Sequence, residues 1–363
     1  MNGKRITIYH IAEQLGMSAS YVSRALNNHP SVSESIKNKV KKKATELNYK
    51  HNTQAASLRQ GSSKTIGVIV PHINQSFFSD AIAGIEEACF QNKHSLIICQ
   101  SHESFQQEAS AVETLIKQNV DCILISISAE TQDSSHLQEI IEHNIHLIQF
   151  DRCLELVNSF MVVNDNEEAS YKVVKSMIQH GYSRIAFIGG PSYLTIFNKR
   201  KEGYLKAIKE AGLNIPYNYI AENALSKEKA MQVASELLDL STPPDAILTV
   251  SDHQSLGVLE VANNRGIQVP SELGIFGFAN EAFTNMIKPA LSSVDQKSKE
   301  LGKKAANIYF EGIVKITPGL PQTEVIESKI LVRESSIRTP FVQKEGINQT
   351  IPITHNSSEP LTI

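Results

Sequence analysis

The stretch Ile8 to Leu26, IYHIAEQLGMSASYVSRAL, leaves this chain the least structural freedom. Ile8, Ile11, Ala12 and Leu15 recur at i, i+3, i+4 and i+7, which puts them on one helical face. Thr7 precedes them as a candidate cap, and Gly16 follows where a left-handed residue ends a helix. Ser18 then opens a second helix whose inner side is Val22, Ala25 and Leu26. Two short helices across a glycine-containing turn form a helix-turn-helix, a unit that lays its second helix in the major groove of DNA. The same residues also fit a small helical hairpin with no ligand, so the flanking sequence has to decide.

The next segment favours DNA. SESIKNKVKKKATEL (33–47) predicts a third helix with Ser33 as N-cap. Its apolar face is Ile36, Val40, Ala44 and Leu47, and Lys37, Lys39, Lys41, Lys42 and Lys43 lie largely outside it. Beside a helix-turn-helix, such lysines read as phosphate contacts that add affinity without sequence choice. Residues 1–60 hold ten Lys or Arg against three Glu, whereas the whole chain carries a net charge of −3. A basic head on an acidic body is the footprint of a polyanion-binding module joined to something else. Residues 50–64 have linker composition, with Leu58 as the single large apolar residue.

From Thr65 the pattern changes. TIGVIVP, SLIICQS, DCILISI and HLIQFD alternate with helical stretches. FMVVND, RIAFIGG, DAILTVSD and LGIFGF then repeat the pattern, followed by LSSVDQ, a helix, and a final extended EVIESKILVRES (324–335). Strands apolar on both faces and separated by helices predict doubly wound parallel sheets, here in two lobes. Open parallel sheets bind ligands outside the C-terminal ends of their strands. The polar residues there are His72 to Phe78, Asp151–Arg152, Asn164–Asp165, Gly189–Ser192, Ser251–Asp252 and Gly277–Asn280.

Several chemistries lack their signatures. No apolar run is long enough to span a bilayer, and the N-terminus has no secretory h-region. The four cysteines form no CxxC pair, so no disulfide framework and no metal site is indicated, and a reducing cytoplasm is expected. There is no phosphate loop, no H-E-x-x-H and no G-x-S-x-G elbow. Ser251, Asp252 and His253 are consecutive, and adjacency is no evidence of the spatial convergence a triad needs. No enzyme activity and no cofactor are expected. The rival readings are a solute-binding protein without DNA function and a cytosolic enzyme on the same two-lobed architecture.

In order and spacing, these motifs resemble the LacI/GalR family of bacterial transcription regulators over about residues 5 to 338. ITIYHIAEQLGMSASYVSRALN and VSESIKNKVKKKATELNY resemble its headpiece, and NTQAASLRQG its hinge. SFFSDAIAGIE, FDR, VVNDNEEA, GYSRIAFIGG, the R-x-x-G-Y of Arg200 to Tyr204, VSDHQSLGVLE, GIQVPSELGIFGF and LSSVDQ resemble its regulatory core. The resemblance implies an all-α helix-turn-helix headpiece (1–50), a hinge (51–63) and an α/β two-lobed core of the periplasmic-binding-protein type I (64–338). Its first lobe is expected at about 64–163 and 292–323 and its second at about 164–291 and 324–338, followed by a disordered tail (339–363).

The resemblance also implies roles. Ala19, Ser20 and Arg24 match base-reading positions, and Arg24 is long enough for a bidentate contact to guanine. Thr7, Tyr21, Ser23 and Asn52 match backbone contacts. Ala55 and Leu58 match hinge positions, with Leu58 as a minor-groove wedge. Phe77, Phe78, Asp151, Arg200, Asp252 and Asn280 match the cleft that holds a small, sugar-like effector. Each has a plainer alternative: core for the phenylalanines, a turn or cap for Asp151, a surface ion pair for Arg200, a helix cap for Asp252. The chain departs from the family where an aspartate usually follows the Gly-Phe of 277–278; here Ala279 and Asn280 stand. His10, Tyr21, His51 and Ala56 also replace usual family residues. The implied partners are a palindromic double-stranded operator, a small-molecule effector and a second copy of the chain, with higher oligomers open and no membrane.

Overall fold

The computed structural model describes residues 6–49, 62–312 and 322–338. It divides into two compact units, Met1–Lys64 and Thr65–Ile363. The hinge residues Asn52, Ala55 and Leu58 and the tail 339–363 lie outside the described residues.

Among its described residues the first unit packs three helices, α1 (Ile8–Leu15), α2 (Ala19–Leu26) and α3 (Glu34–Glu46). Thr7 and His10 form a capping box at the start of α1, and the Thr7 N–H donates to His10 Nδ1 at 3.0 Å. His10 thus does what Glu or Gln usually does there. Gly16 is left-handed (φ 65°). The Met17 and Gly16 N–H groups return to the Ala12 and Glu13 carbonyls, a Schellman end that turns the chain sharply into α2. Ser18 caps α2 by accepting from the Tyr21 N–H at 3.2 Å. Ile11, Ala12, Val22, Ala25, Val32, Val40 and Ala44 make a private core. Ser33 takes the N-cap position of α3 without a side-chain cap bond.

The second unit holds two six-stranded sheets of matching order. The first lobe contains β1 (Thr65–Val70), α4 (Ser76–Gln91), β2 (Ser95–Gln100), α5 (Phe105–Lys117), β3 (Cys122–Ile125), α6 (Ser135–Glu142), β4 (His146–Phe150) and β5 (Phe160–Asn164). The second contains α7 (Asn166–Gln179), β6 (Ile185–Ile188), α8 (Thr195–Glu210), β7 (Ile220–Ala221), α9 (Lys227–Leu238), β8 (Ala246–Thr249), α10 (Asp252–Asn264), β9 (Gly274–Phe278) and β10 (Ser292–Asp295). The chain then returns to the first lobe with α11 (Ser298–Phe310), which packs on α4, and β11 (Thr323–Ile326), and ends in the second with β12 (Lys329–Leu331). The strand orders are β11-β5-β4-β3-β1-β2 and β12-β10-β9-β8-β6-β7. All pairings are parallel except β10 with β12.

Two expected lobe limits are corrected. Residues 292–295 pair with β9 and belong to the second lobe, not the first. Residues 324–326 pair with β5 and belong to the first lobe, not the second. The expected single strand EVIESKILVRES is therefore two, one in each sheet, because an extended, alternating pattern does not say which neighbour will pair with it.

The chain crosses between lobes near residues 164, 296 and 327, and one side chain ties the crossings together. Asn164 Nδ2 donates to the Gln296 carbonyl (2.8 Å) and the Ile326 carbonyl (3.1 Å), and Gln296 Nε2 returns a bond to Asn164 Oδ1 at 3.2 Å. The Ser328 N–H donates to Asp165 Oδ1 at 2.8 Å.

Candidate functional site

On α2, Ser20 and Arg24 are four residues apart and both exposed, so they share one outward face. The Arg24 guanidinium sits 5.8 Å from the centre of the Tyr21 ring. Ala19 is half-buried and packs against the core of this unit, as does Tyr21. Ser23 is half-buried, and Thr7 is held in its capping box.

The lysine run divides into paired and exposed members. Lys37 is buried and pairs with Glu34 at 2.6 Å, which corrects its reading as a phosphate contact. Lys43 pairs with Glu46 at 2.6 Å, and Lys41 donates to Asn28 Oδ1 at 2.7 Å. Lys39 and Lys42 are exposed. A lysine already paired and buried offers a phosphate little, so the electropositive face is narrower than the run of letters suggests.

Between the lobes, charge and aromatic faces alternate. Asp151 follows β4 with φ 59°, a conformation unusual outside glycine, and is 7% exposed. Burial raises its carboxyl above the ordinary value, although Arg152 and Arg200 pull it down. Arg152 pairs with Glu103 at 2.7 Å. Its guanidinium lies 5.9 Å from the Phe78 ring centre in the first lobe and 5.6 Å from Phe197 in the second. Arg200 is 2% exposed and is no surface ion pair. Its Nε donates to Asn166 Oδ1 (2.8 Å), its Nη1 to the Val250 carbonyl (2.7 Å), and it stacks 4.2 Å from the Phe278 ring centre. Its Nη2 is buried without a hydrogen-bond partner. Burial lowers Arg200 to about 10, with Asp151 opposing and Arg152 adding to the shift.

Phe77 and Phe78 stand 5.1 Å apart edge to face and belong to the first-lobe core. The core reading thus holds for both, and Phe78 also faces Arg152. Asp252 begins α10 behind the N-cap Ser251 and is fully buried. Its oxygens accept from Ser293 Oγ at 2.7 and 2.9 Å and from the Glu281 N–H at 2.8 Å. Asn280 Oδ1 accepts from Arg333 Nη2 at 2.6 Å. Asp252 and Asn280 are therefore engaged inside their own lobe. Glu281 reaches across the cleft and accepts from the Ser76 N–H at the start of α4 (3.1 Å). Ala279, at φ 114°, packs against the first-lobe core that contains Phe77 and Phe78.

A cavity of ≈ 370 Å³ opens at the junction of the lobes beside Asp151, Met161, Val163, Asn166, Ile196 and Lys199. Of the expected effector residues, only Asp151 lines it. Glu103, Asn166 and Phe197 are not among the site residues expected from the sequence, and Arg152 and Phe278 stand there only as strand-end residues. Phe197 was findable, because it lies one helical turn before Arg200 on α8. Glu103 was not, since only the folded loop after β2 brings it to Arg152. Among the described residues no group of three His, Cys, Asp or Glu side chains gathers as a metal site requires. No helix among them is long and apolar enough to cross a membrane.

Asp252 carries a pH signature. Burial raises it from 3.8 to about 7, against the pull of its Ser293 and Glu281 donors. The stability linked to its proton is full below 3.8 and is lost as pH rises through about 7. Asp252→Asn is expected to flatten the stability curve over that window, read by urea unfolding from about pH 4 to 8. An unchanged slope would remove Asp252 as its source.

Comparison with known proteins places both units. The family description "Bacterial regulatory proteins, lacI family" matches residues 7–52, and "Periplasmic binding protein-like domain" matches residues 174–336. The catabolite control protein A of Priestia megaterium is 30% identical over 314 residues, covering 86% of this chain and 94% of that protein. The transcriptional repressor CytR of Escherichia coli K12 is 31% identical over 310 residues, covering 84% and 89%. Among solved structures, the lac repressor dimer bound to operator and the anti-inducer ONPF has a TM-score of 0.78 at 20% identity, covering 92% of this chain and 100% of that one.

Proposed function

The chain belongs to the lacI family of bacterial regulatory proteins and is a DNA-binding transcriptional repressor rather than an enzyme, and from that premise we propose how it is controlled. Two copies bind the two halves of a palindromic operator, so that operator symmetry mirrors protein symmetry. A small sugar-like metabolite held between the lobes shifts their arrangement and, through the segment 51–63, the affinity for DNA. Ser20 and Arg24 read bases, and Leu58 enters the minor groove and kinks the duplex.

The observation that carries this reading is the cleft itself. Arg152 lies between aromatic rings of opposite lobes, Arg200 lies on Phe278 with an unpartnered Nη2, and Asn164 bonds the other two chain crossings on which the lobes would turn. The genes beside the operator would point to the metabolite, so the test begins with genome-wide binding of the full chain. Affinity for the recovered palindrome is then measured against salt and candidate ligands. A steep fall with salt and a ligand-dependent change in affinity are expected. Operator affinity indifferent to every ligand that binds would remove ligand control. Leu58→Ala is expected to reduce operator bending with little change in ligand affinity, and unchanged bending would rule out the wedge.

A further inference from the structure

We propose that Tyr21 is a positioning residue for base recognition, its ring holding the Arg24 guanidinium in place to meet a base edge. The inference rests on the reading of Arg24 as a base reader and names what sets its aim.

The ring is itself well fixed. Tyr21 is the third residue of α2, and its N–H is shared between the Ser18 side chain (3.2 Å) and the Ser18 carbonyl (3.0 Å) at the helix cap. Its side chain is half-buried and packs on the three-helix core. Arg24 follows three residues later, a spacing that makes the two side chains neighbours on the helix surface. The guanidinium carbon lies 5.8 Å from the ring centre, within the range over which an aromatic face attracts a cation.

Arg24 has no rival anchor among the described residues. Ser20, Asn27 and Asn28 are the exposed side chains one turn to either side of it. Ser20 is short. Asn27 Nδ2 donates to the Ser23 carbonyl at 2.9 Å, and Asn28 Oδ1 accepts from Lys41 at 2.7 Å. The carboxylates of this unit that form ion pairs, Glu34 and Glu46, take Lys37 and Lys43. An arginine without an anchor spreads over many rotamers, and fixing one of them on binding costs affinity.

A ring is the anchor best suited to a base reader. It takes the flat face of the guanidinium and leaves the N–H edge free, whereas a carboxylate would occupy that edge. The bidentate contact to guanine uses the edge. The contact that orders Arg24 therefore leaves its base-reading donors open.

The test measures single-base discrimination by the full chain on duplexes selected from random sequence, at the base pair that Arg24→Ala ceases to discriminate. Tyr21→Leu is expected to lower discrimination at that pair by about two- to fivefold, as an exposed cation–π contact implies, and to leave the other pairs as they are. Tyr21→Phe keeps the ring and should keep the discrimination, whatever the lost hydroxyl does to affinity for all sequences alike. A phenylalanine at position 21 whose ring carries several fluorines keeps the shape but loses the negative face, and should discriminate about as poorly as Tyr21→Leu. Combined with Arg24→Ala, the loss of the ring should change nothing further at that pair.

Discrimination kept or raised in Tyr21→Leu overturns the proposal, since the ring would then be idle or would compete with the base for Arg24. So does an equal loss at every base pair, or a fluorinated ring that discriminates as well as Tyr21→Phe. If Tyr21→Leu fails to fold, the fluorinated ring against Tyr21→Phe still decides. Arg24→Ala separates this idea from the reading it rests on. If that variant discriminates normally everywhere, base reading by Arg24 fails and the positioning role with it. If it loses discrimination at one pair and Tyr21→Leu does not, only the positioning role fails.

Discussion

Arg24→Ala is expected to reduce discrimination at one base pair of each half-site by about 1–3 kcal/mol, roughly five- to 150-fold. Arg24 is exposed on α2, one turn beyond Ser20, and its guanidinium lies near the Tyr21 ring. Ala19 and Tyr21 pack inward, and Ser20 is short. Arg24 is thus the long donor on this face that can span both acceptors of a guanine. Its exposure means the substitution removes little packing, so the three-helix core should melt unchanged. The measurement is a selection of binding sites from random duplexes, followed by anisotropy on single-base operator variants. If specificity survives, α2 is not the reading helix. Lys39→Ala and Lys42→Ala form the contrast. Each should weaken binding to all sequences alike and lower the salt slope by about one. Lys37→Ala should act on folding instead, because Lys37 is buried against Glu34.

Gly203→Val is expected to destabilise the second lobe by about 1–3 kcal/mol or more, the usual cost of forcing atoms into a packed contact. A Cβ at Gly203 would overlap the Glu167 carbonyl on α7, so glycine is what lets α8 approach α7 that closely. Arg200 is one turn earlier on α8, and Asn166 begins α7. Separating the helices therefore also pulls Arg200 Nε away from Asn166. Two readouts should move together: a Tm lower by about 2–4 °C for each kcal/mol lost, and weaker binding of any ligand held by Arg200. A variant with native Tm would show that the helices do not meet at this glycine.

The helix-turn-helix was legible because its signals are local. Gly16 ends α1 left-handed and Ser18 caps α2, each within four residues of the atoms it serves. The repeated apolar runs likewise announced parallel strands covered by helices. The R-x-x-G-Y of Arg200 to Tyr204 was visible too, but its glycine had no stated reason until α7 was seen against it. His10 departs from the usual family residue, and only the folded first turn shows why it serves, since its ring nitrogen receives the Thr7 N–H.

By itself, the sequence determined the basic three-helix unit and the two-lobed parallel architecture. Those follow from capping, periodicity and charge, which act over a few residues. Only the tertiary structure decided which sheet residues 292–295 and 323–326 join, that Asn164 ties the three crossings, and that Lys37 is taken by Glu34. It also decided that Asp252 and Asn280 turn into their own lobe while Arg200 keeps an open N–H. These outcomes depend on which strand lies alongside, on partners more than a hundred residues apart, as for Asn164 with Gln296 and Ile326, or on the direction a side chain takes. The order of the letters records which groups are available, but only packing settles which of them meet.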